Sequence, residues 1–313
     1  MDLRAIIAGL AFAFMWSSAF TSARIVVAAA PPLAALSVRF LISGLIAVAI
    51  ARWLGQPLRL ARREWVAVAL FGLCQNALYL GLNFVAMQWV EASVAAIVAS
   101  TLPLWVAAAS RVIFSERLSA LGIGGLVAGF LGVVVIMSGR MQSSGIDALG
   151  LGLVVAGVLS LAAATLLLRD SLPRRDAMMV VGLQMLVGSL CLAPPALIFE
   201  SWQVRWSVPL ILAFAYTTLV PGLLATLVWF WLVRRIGPTR AATFHFLNPF
   251  LGVAIAAAIL GEALGPRDLL GAAVVAGGIL AVQMGRRPRA GGLTARAGLA
   301  EAEGAGSGGG ESR

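Results

Sequence analysis

The segment FHFLNPF, residues 244–250, sets the chain's only histidine, an amide and a proline inside a run that is apolar on both sides. His245 and Asn248 are three residues apart and Gly252 follows four later, so on a helix they share a face. Pro249 has no N–H and crowds the carbonyl of His245, as Pro103 does that of Ala99. Imidazole, amide and freed carbonyl together offer hydrogen bonds to a solute in a polar cavity. A second stripe, Asn76, Tyr79 and Asn83, has i, i+3, i+7 spacing with Gln75 beside it. Trp16, Trp105 and Trp229 lie deep within apolar segments and offer rings for stacking on an organic molecule. Thr101, Thr218 and Thr226 supply hydroxyls. Each feature has a structural alternative: prolines kink helices, amides and hydroxyls join helices or bond their own backbone, and rings pack.

The elements that must hold these residues are membrane helices. Hydrophobic residues make up 61% of the 313-residue chain, charged residues 12%, and mean hydropathy is +0.97; soluble domains are nearer half apolar and a quarter charged. Ten apolar runs recur at about 6–27, 34–54, 65–87, 93–113, 120–138, 149–168, 178–198, 208–233, 240–260 and 268–284, each of bilayer-spanning length. Their period suits helices, not the alternation of a membrane β-barrel. All 23 basic residues are arginine, and the net charge is +10. Eighteen of them fall on the side of the N-terminus. Arg24, Arg39, Arg140, Arg205 and Arg267 fall toward the other, so the positive-inside rule places both termini in the cytoplasm of a bacterial-type inner membrane. The charge therefore orients the chain and marks no nucleic-acid site. Cys74 and Cys191 read as small apolar core residues, no metal spacing is present, and no cleavable leader is evident. Trp53, Trp65, Trp89, Trp202, Trp206 and Trp231 fit an interfacial belt. Arg39, some six residues into the second run, reads chiefly as an anchor that snorkels to the outer interface. The segment 288–313 is expected to be a disordered cytoplasmic tail.

Residues 93–137 align without gaps on 239–283 at an offset of 146, with Pro103/Pro249, Glu116/Glu262, Gly125/Gly271 and Gly132/Gly278 in register. Each half has five helices. An odd number inverts the second half, giving repeats of 1–141 and 142–287, the plan of many secondary transporters with a site near the midplane. Glu116 and Glu262 end their helices and read as architectural.

These residues also carry a resemblance. The chain resembles the EamA-type permeases of the drug/metabolite transporter superfamily over nearly its whole length. The resemblance rests on FMWSSAF in the first helix, VRFLISG in the second, and the two blocks ASVAAIVASTLPLWVAAASRVIFSERLSALGIGGLVAGFLGVVVI and RIGPTRAATFHFLNPFLGVAIAAAILGEALGPRDLLGAAVVAGGILAV. It implies an all-α membrane protein of ten helices in an inverted five-plus-five repeat around a central cavity. It also implies export of small metabolites, neutral or aromatic amino acids foremost. Substrate-binding candidates are Trp16, Asn76, Tyr79, Asn83, Thr101, Trp105, Trp229, His245 and Asn248; Pro103 and Pro249 are candidate hinges. Partners are a small-molecule substrate and the lipid bilayer, with no nucleic acid, no cofactor and an unassigned coupling ion. SER at 115–117 and FHFLNP at 244–249 depart from the family pattern, and His245 and Asn248 are read as tuning specificity. An importer or facilitative uniporter of the same fold is the alternative. An intramembrane enzyme is disfavoured by one histidine, no HExxH and no paired mid-membrane acids, and direct ATP drive by the lack of a P-loop.

Overall fold

The structure, a computed structural model, describes residues 3–113, 119–143, 147–167, 177–236 and 243–285. Glu116, Arg117, Arg169, Arg174, Arg175, Arg240 and the segment from 286 onward lie outside the described residues. Ten helical spans follow one another: α1 (Leu3–Val27), α2 (Pro32–Trp53), α3 (Arg62–Ala86), α4 (Ala92–Ile113), α5 (Ala120–Ser143), α6 (Ala148–Leu167), α7 (Ala177–Phe199), α8 (Val208–Leu219, Val220–Leu224 and Ala225–Ile236), α9 (Thr243–Leu247 and Asn248–Leu260) and α10 (Pro266–Gly285). No strand occurs among the described residues.

The helices pack as an inverted pair of five. In α5 and α10, Gly125 lies against Gly278 and Gly132 against Gly271; a Cβ built on any of the four would come within 3.0 Å of the partner's backbone. The offset of 146 carries the first pair onto the second, since 125 maps to 271 and 132 to 278. Lipid tails offer no hydrophobic drive for helix pairing, so close backbone approach through glycine supplies the contact. In α2 and α7, Ser37 and Ser189 exchange hydrogen bonds of 3.0 and 2.9 Å to each other's carbonyls, and Gly44 meets Gly182. An offset of 145 maps 37 to 182 and 44 to 189, so these contacts are also mates.

Carboxylates seal the face away from the N-terminus. Glu262 accepts from the Ala92 and Ser93 amides at 2.8 and 3.1 Å, and Glu200 from those of Leu33 and Ala34 at 2.7 and 2.8 Å. Each satisfies orphan N–H groups of a helix start and complements its dipole. Trp53, Trp65, Trp89, Trp202, Trp206 and Trp231 are exposed, whereas Trp16, Trp105 and Trp229 are half-buried.

Four spans depart from regular α-helix, and they form two pairs. Each of α4 and α9 has a proline near its middle. In α4 regular helix stops at Ser100 and resumes at Leu102, with Pro103 in the new first turn; α9 opens with a 3₁₀ turn and becomes α-helical at Asn248 with Pro249 behind it. Each proline thus opens a helical segment, where its missing N–H costs nothing. The third and eighth spans carry π-helix at Gly72–Leu80 and Val220–Leu224. The offset of 146 maps 72–80 to 218–226, so the two π segments coincide in the repeat. Pro221 accounts for the second; the first has no proline, and no residue pattern there announces it.

Candidate functional site

Where α9 changes from 3₁₀ to α-helix, Asn248 is buried and both ends of its amide are used. Its nitrogen donates to Nδ1 of His245 at 3.0 Å, which leaves the ring proton of the neutral imidazole on Nε2. Its oxygen accepts from the Ser17 hydroxyl on α1 at 3.3 Å. The His245 ring stands edge-on to Phe12, Trp16 and Trp229, with centroids 5.2, 6.0 and 5.2 Å away, and Phe12 lies 4.9 Å from Trp229. Two helices thus place three rings around the short polar chain of Ser17, Asn248 and His245. Aromatic pairs in this geometry add roughly 0.5–1.5 kcal/mol each beyond area burial. On the N-terminal side of the cluster Phe244 packs directly over Gly9, so α1, α8 and α9 are closed against one another there.

A hydroxyl ladder on α1 continues from this point. Ser18 shares a 2.8 Å hydrogen bond with the Tyr216 hydroxyl, and Ser22 donates to Thr217 at 2.9 Å. Thr21 Oγ1 is buried with no hydrogen-bond partner among the described residues. Phe12, Ser17, Ser18, Ser22 and Tyr216 were not among the sequence candidates. The run SSAFTS carries the signal, since its hydroxyls recur at i, i+1, i+4 and i+5.

The remaining candidates lie elsewhere. Asn76 donates to the Gln184 carbonyl of α7 at 2.8 Å and lies over Gly188, so its amide joins two helices. Asn83 donates to its own helix at the Tyr79 carbonyl, 2.7 Å, facing Gly157 of α6; its Oδ1 is buried and has no hydrogen-bond partner among the described residues. Tyr79 is buried in the main apolar core. Thr101 bonds the Val98 carbonyl at 2.6 Å and receives the Trp105 indole N–H at 3.1 Å, while the Trp105 ring meets Phe130 of α5 edge-on at 4.8 Å. Thr218 and Thr226 bond carbonyls four residues back. The sequence candidates therefore divide: Trp16, Trp229, His245 and Asn248 converge, whereas Asn76, Tyr79, Asn83, Thr101 and Trp105 lie apart from them, Asn76 against α7, Asn83 against α6 and Trp105 against α5.

Arg39 differs from its expected snorkelling. It is 6% exposed, and its guanidinium carbon lies 5.4 Å from the Phe40 ring centroid and 6.0 Å from that of Phe84. A Cβ built on Gly222 would stand 3.6 Å from one terminal nitrogen. Gly222 is fourteen residues past Val208, on the order of 21 Å along α8, so the side chain reaches inward, away from the nearer surface. At the end of the bundle opposite the N-terminus, a cavity of ≈ 620 Å³ is lined by Arg24, Glu91, Ser207, Leu210 and Glu262 among others. Among the described residues no cluster of His, Cys, Asp and Glu can hold a metal ion.

The family profile described as the EamA-like transporter family matches twice, over residues 3–138 and 148–284. The chain belongs to the EamA-like transporter family. EamA relatives include the uncharacterized inner membrane transporter YedA of Escherichia coli, 28% identical over 275 residues that cover 87% of this chain and 88% of that one. The uncharacterized transporter YvbV of Bacillus subtilis is 26% identical over 251 residues, covering 80% and 82%. A chloroplastic WAT1-related protein of Arabidopsis thaliana is 24% identical over 270 residues; these are 83% of this chain and span 65% of the length of the plant protein. A crystal structure with 20% sequence identity superimposes with a TM-score of 0.66 over 92% of this chain and 99% of that one, which shows a shared fold. This chain is a multi-pass membrane transporter.

Proposed function

We propose that the protein is a secondary transporter that exports small organic solutes, neutral or aromatic amino acids foremost, across a bacterial inner membrane by alternating access, and that it is not an enzyme. Both termini are cytoplasmic on this reading, which the arginine distribution supports. The repeats run from 1 to 141 and from 142 to 287, in keeping with the twofold family match.

The observation that carries the reading is the α1–α8–α9 junction. Trp16, Trp229 and Phe12 surround an imidazole–amide pair at the place where α9 is broken, and the cavity opens at the other end of the same helices. The rings here pack on one another, so they close the cytoplasmic end of the path. A solute with an aromatic or neutral apolar group replaces ring–ring contacts with ring–solute contacts and parts the plug. Breaks at Thr101–Pro103 and Leu247–Pro249 let half-helices swing without loss of internal hydrogen bonds, which suits hinge positions.

Counterflow in proteoliposomes tests it. Vesicles loaded with unlabelled aromatic, branched or hydroxy amino acids, a nucleoside or a quaternary amine are offered the labelled form. Exchange of an aromatic or neutral amino acid is expected; exchange only of the nucleoside or the amine removes the amino-acid assignment.

A further inference from the structure

We infer that Arg39 is the anchor for the carboxylate of the transported solute, an inference that rests on the transporter reading and names the charge its substrate carries. Arg39 is buried 94% and meets no hydrogen-bonding or ionic partner among the described residues, its Nε being fully enclosed. Its surroundings are the rings of Phe40 and Phe84, the Ser43 hydroxyl side of α2, and Gly222.

The inverted repeat shows that this is no ordinary helix seam. The offset of 145 maps Arg39 to Gln184 and Ser43 to Gly188, and the offset of 146 maps Asn76 to Gly222. In the α3–α7 crossing the seam is complete: Asn76 fills the space over Gly188 and donates to the Gln184 carbonyl. In the α2–α8 crossing the amide has become glycine and the glutamine has become arginine. A helix joint calls for the same solution twice. Here one copy carries a cation facing a missing side chain, next to a π segment.

The position fits a bipartite solute. Gly222 and Trp229 are seven residues apart, so they lie on one face of α8 about 10 Å apart along its axis. Ala225 between them packs against Phe12 and Met15. A carboxylate at Arg39 thus points the remainder of the molecule along α8 toward the aromatic cluster. An arginine fork matches a carboxylate in a bidentate manner, which an ammonium does not.

The test uses the purified full chain in detergent and in proteoliposomes. Thermal unfolding is followed with acids from alanine to tryptophan and indole-3-propionate, each beside its amide, and with chloride and phosphate as inorganic controls. The expected result is stabilisation by at least one acid and not by its amide. Arg39→Gln abolishes it or raises the half-effective concentration by roughly 10- to 100-fold, and Arg39→Lys falls between. The unliganded Arg39→Gln protein melts at the same or a higher temperature, because an uncompensated buried charge has gone; a structural anchor gives a lower one. Equal stabilisation by acid and amide, by chloride or phosphate, or by an acid acting unchanged on Arg39→Gln overturns the assignment. So does stabilisation by no acid. Counterflow separates the two readings: exchange only of a solute without a carboxylate, the nucleoside or the quaternary amine, keeps the transporter and removes the carboxylate anchor.

Discussion

Asn248 and Asn76 are both buried amides in apolar helices, and they illustrate how the same residue type serves two ends. Asn76 meets one backbone carbonyl across a tight helix crossing, so its loss removes that interhelical bond and leaves a void over Gly188. Asn76→Ala is expected to destabilise by about 1–3 kcal/mol while transport per folded molecule is retained. Asn248 holds an imidazole that three aromatic rings surround, a contact that the proposed movement of α9 would break. Asn248→Ala is expected to lower exchange by on the order of 10- to 100-fold with a smaller change in melting temperature. Parallel thermal unfolding and counterflow on the two variants check this, and equal behaviour of both removes the distinction. The sequence showed both stripes but not which neighbour each one faces. That depends on a glycine in another helix, Gly188 under Asn76, and on Ser17, 231 residues away from Asn248.

Helices announce themselves unequally. Ten apolar runs and two mid-run prolines are visible in the chain, and the breaks at Leu102 and Asn248 follow from proline chemistry. The π segment in α3 has no such marker: its backbone meets partners on another helix such as Ser160, whose hydroxyl donates to the Cys74 carbonyl at 3.4 Å. Glycine pairing in the fifth and tenth spans was visible as register but not as contact, since nothing in a sequence says that 125 meets 278 and not 271. That contact makes a prediction. In Gly278→Val the first added carbon already falls 2.6 Å from the Gly125 carbonyl oxygen, so α5 and α10 must separate. Overpacking of this kind costs about 1–3 kcal/mol. A lowered melting temperature in detergent is expected, with Gly277→Val as control, because Gly277 has open space beyond it.

For the assembled bundle the question is whether the two halves exchange their openings. On the alternating-access reading, the cavity at the Glu262 end and the packed rings at the N-terminal end, where Phe244 covers Gly9, correspond to one of two states. An inverted repeat makes the opposite state accessible when the halves adopt each other's conformation. Single cysteines report it, introduced in a background with Cys74 and Cys191 replaced by alanine. Leu210→Cys lines the cavity, and Ala225→Cys lies beneath Phe12 and Met15. A membrane-impermeant thiol reagent applied from the far side should label Leu210→Cys quickly and Ala225→Cys slowly. The same reagent from the N-terminal side should reach Ala225→Cys faster once saturating substrate is present, while labelling of Leu210→Cys falls. Pro249→Ala restores the missing N–H and extends the helix, so it should slow these reciprocal changes severalfold and leave ligand-induced stabilisation in place. Access from one side only, unchanged by substrate in either cysteine, would rule out alternating access and make the ring cluster a fixed core.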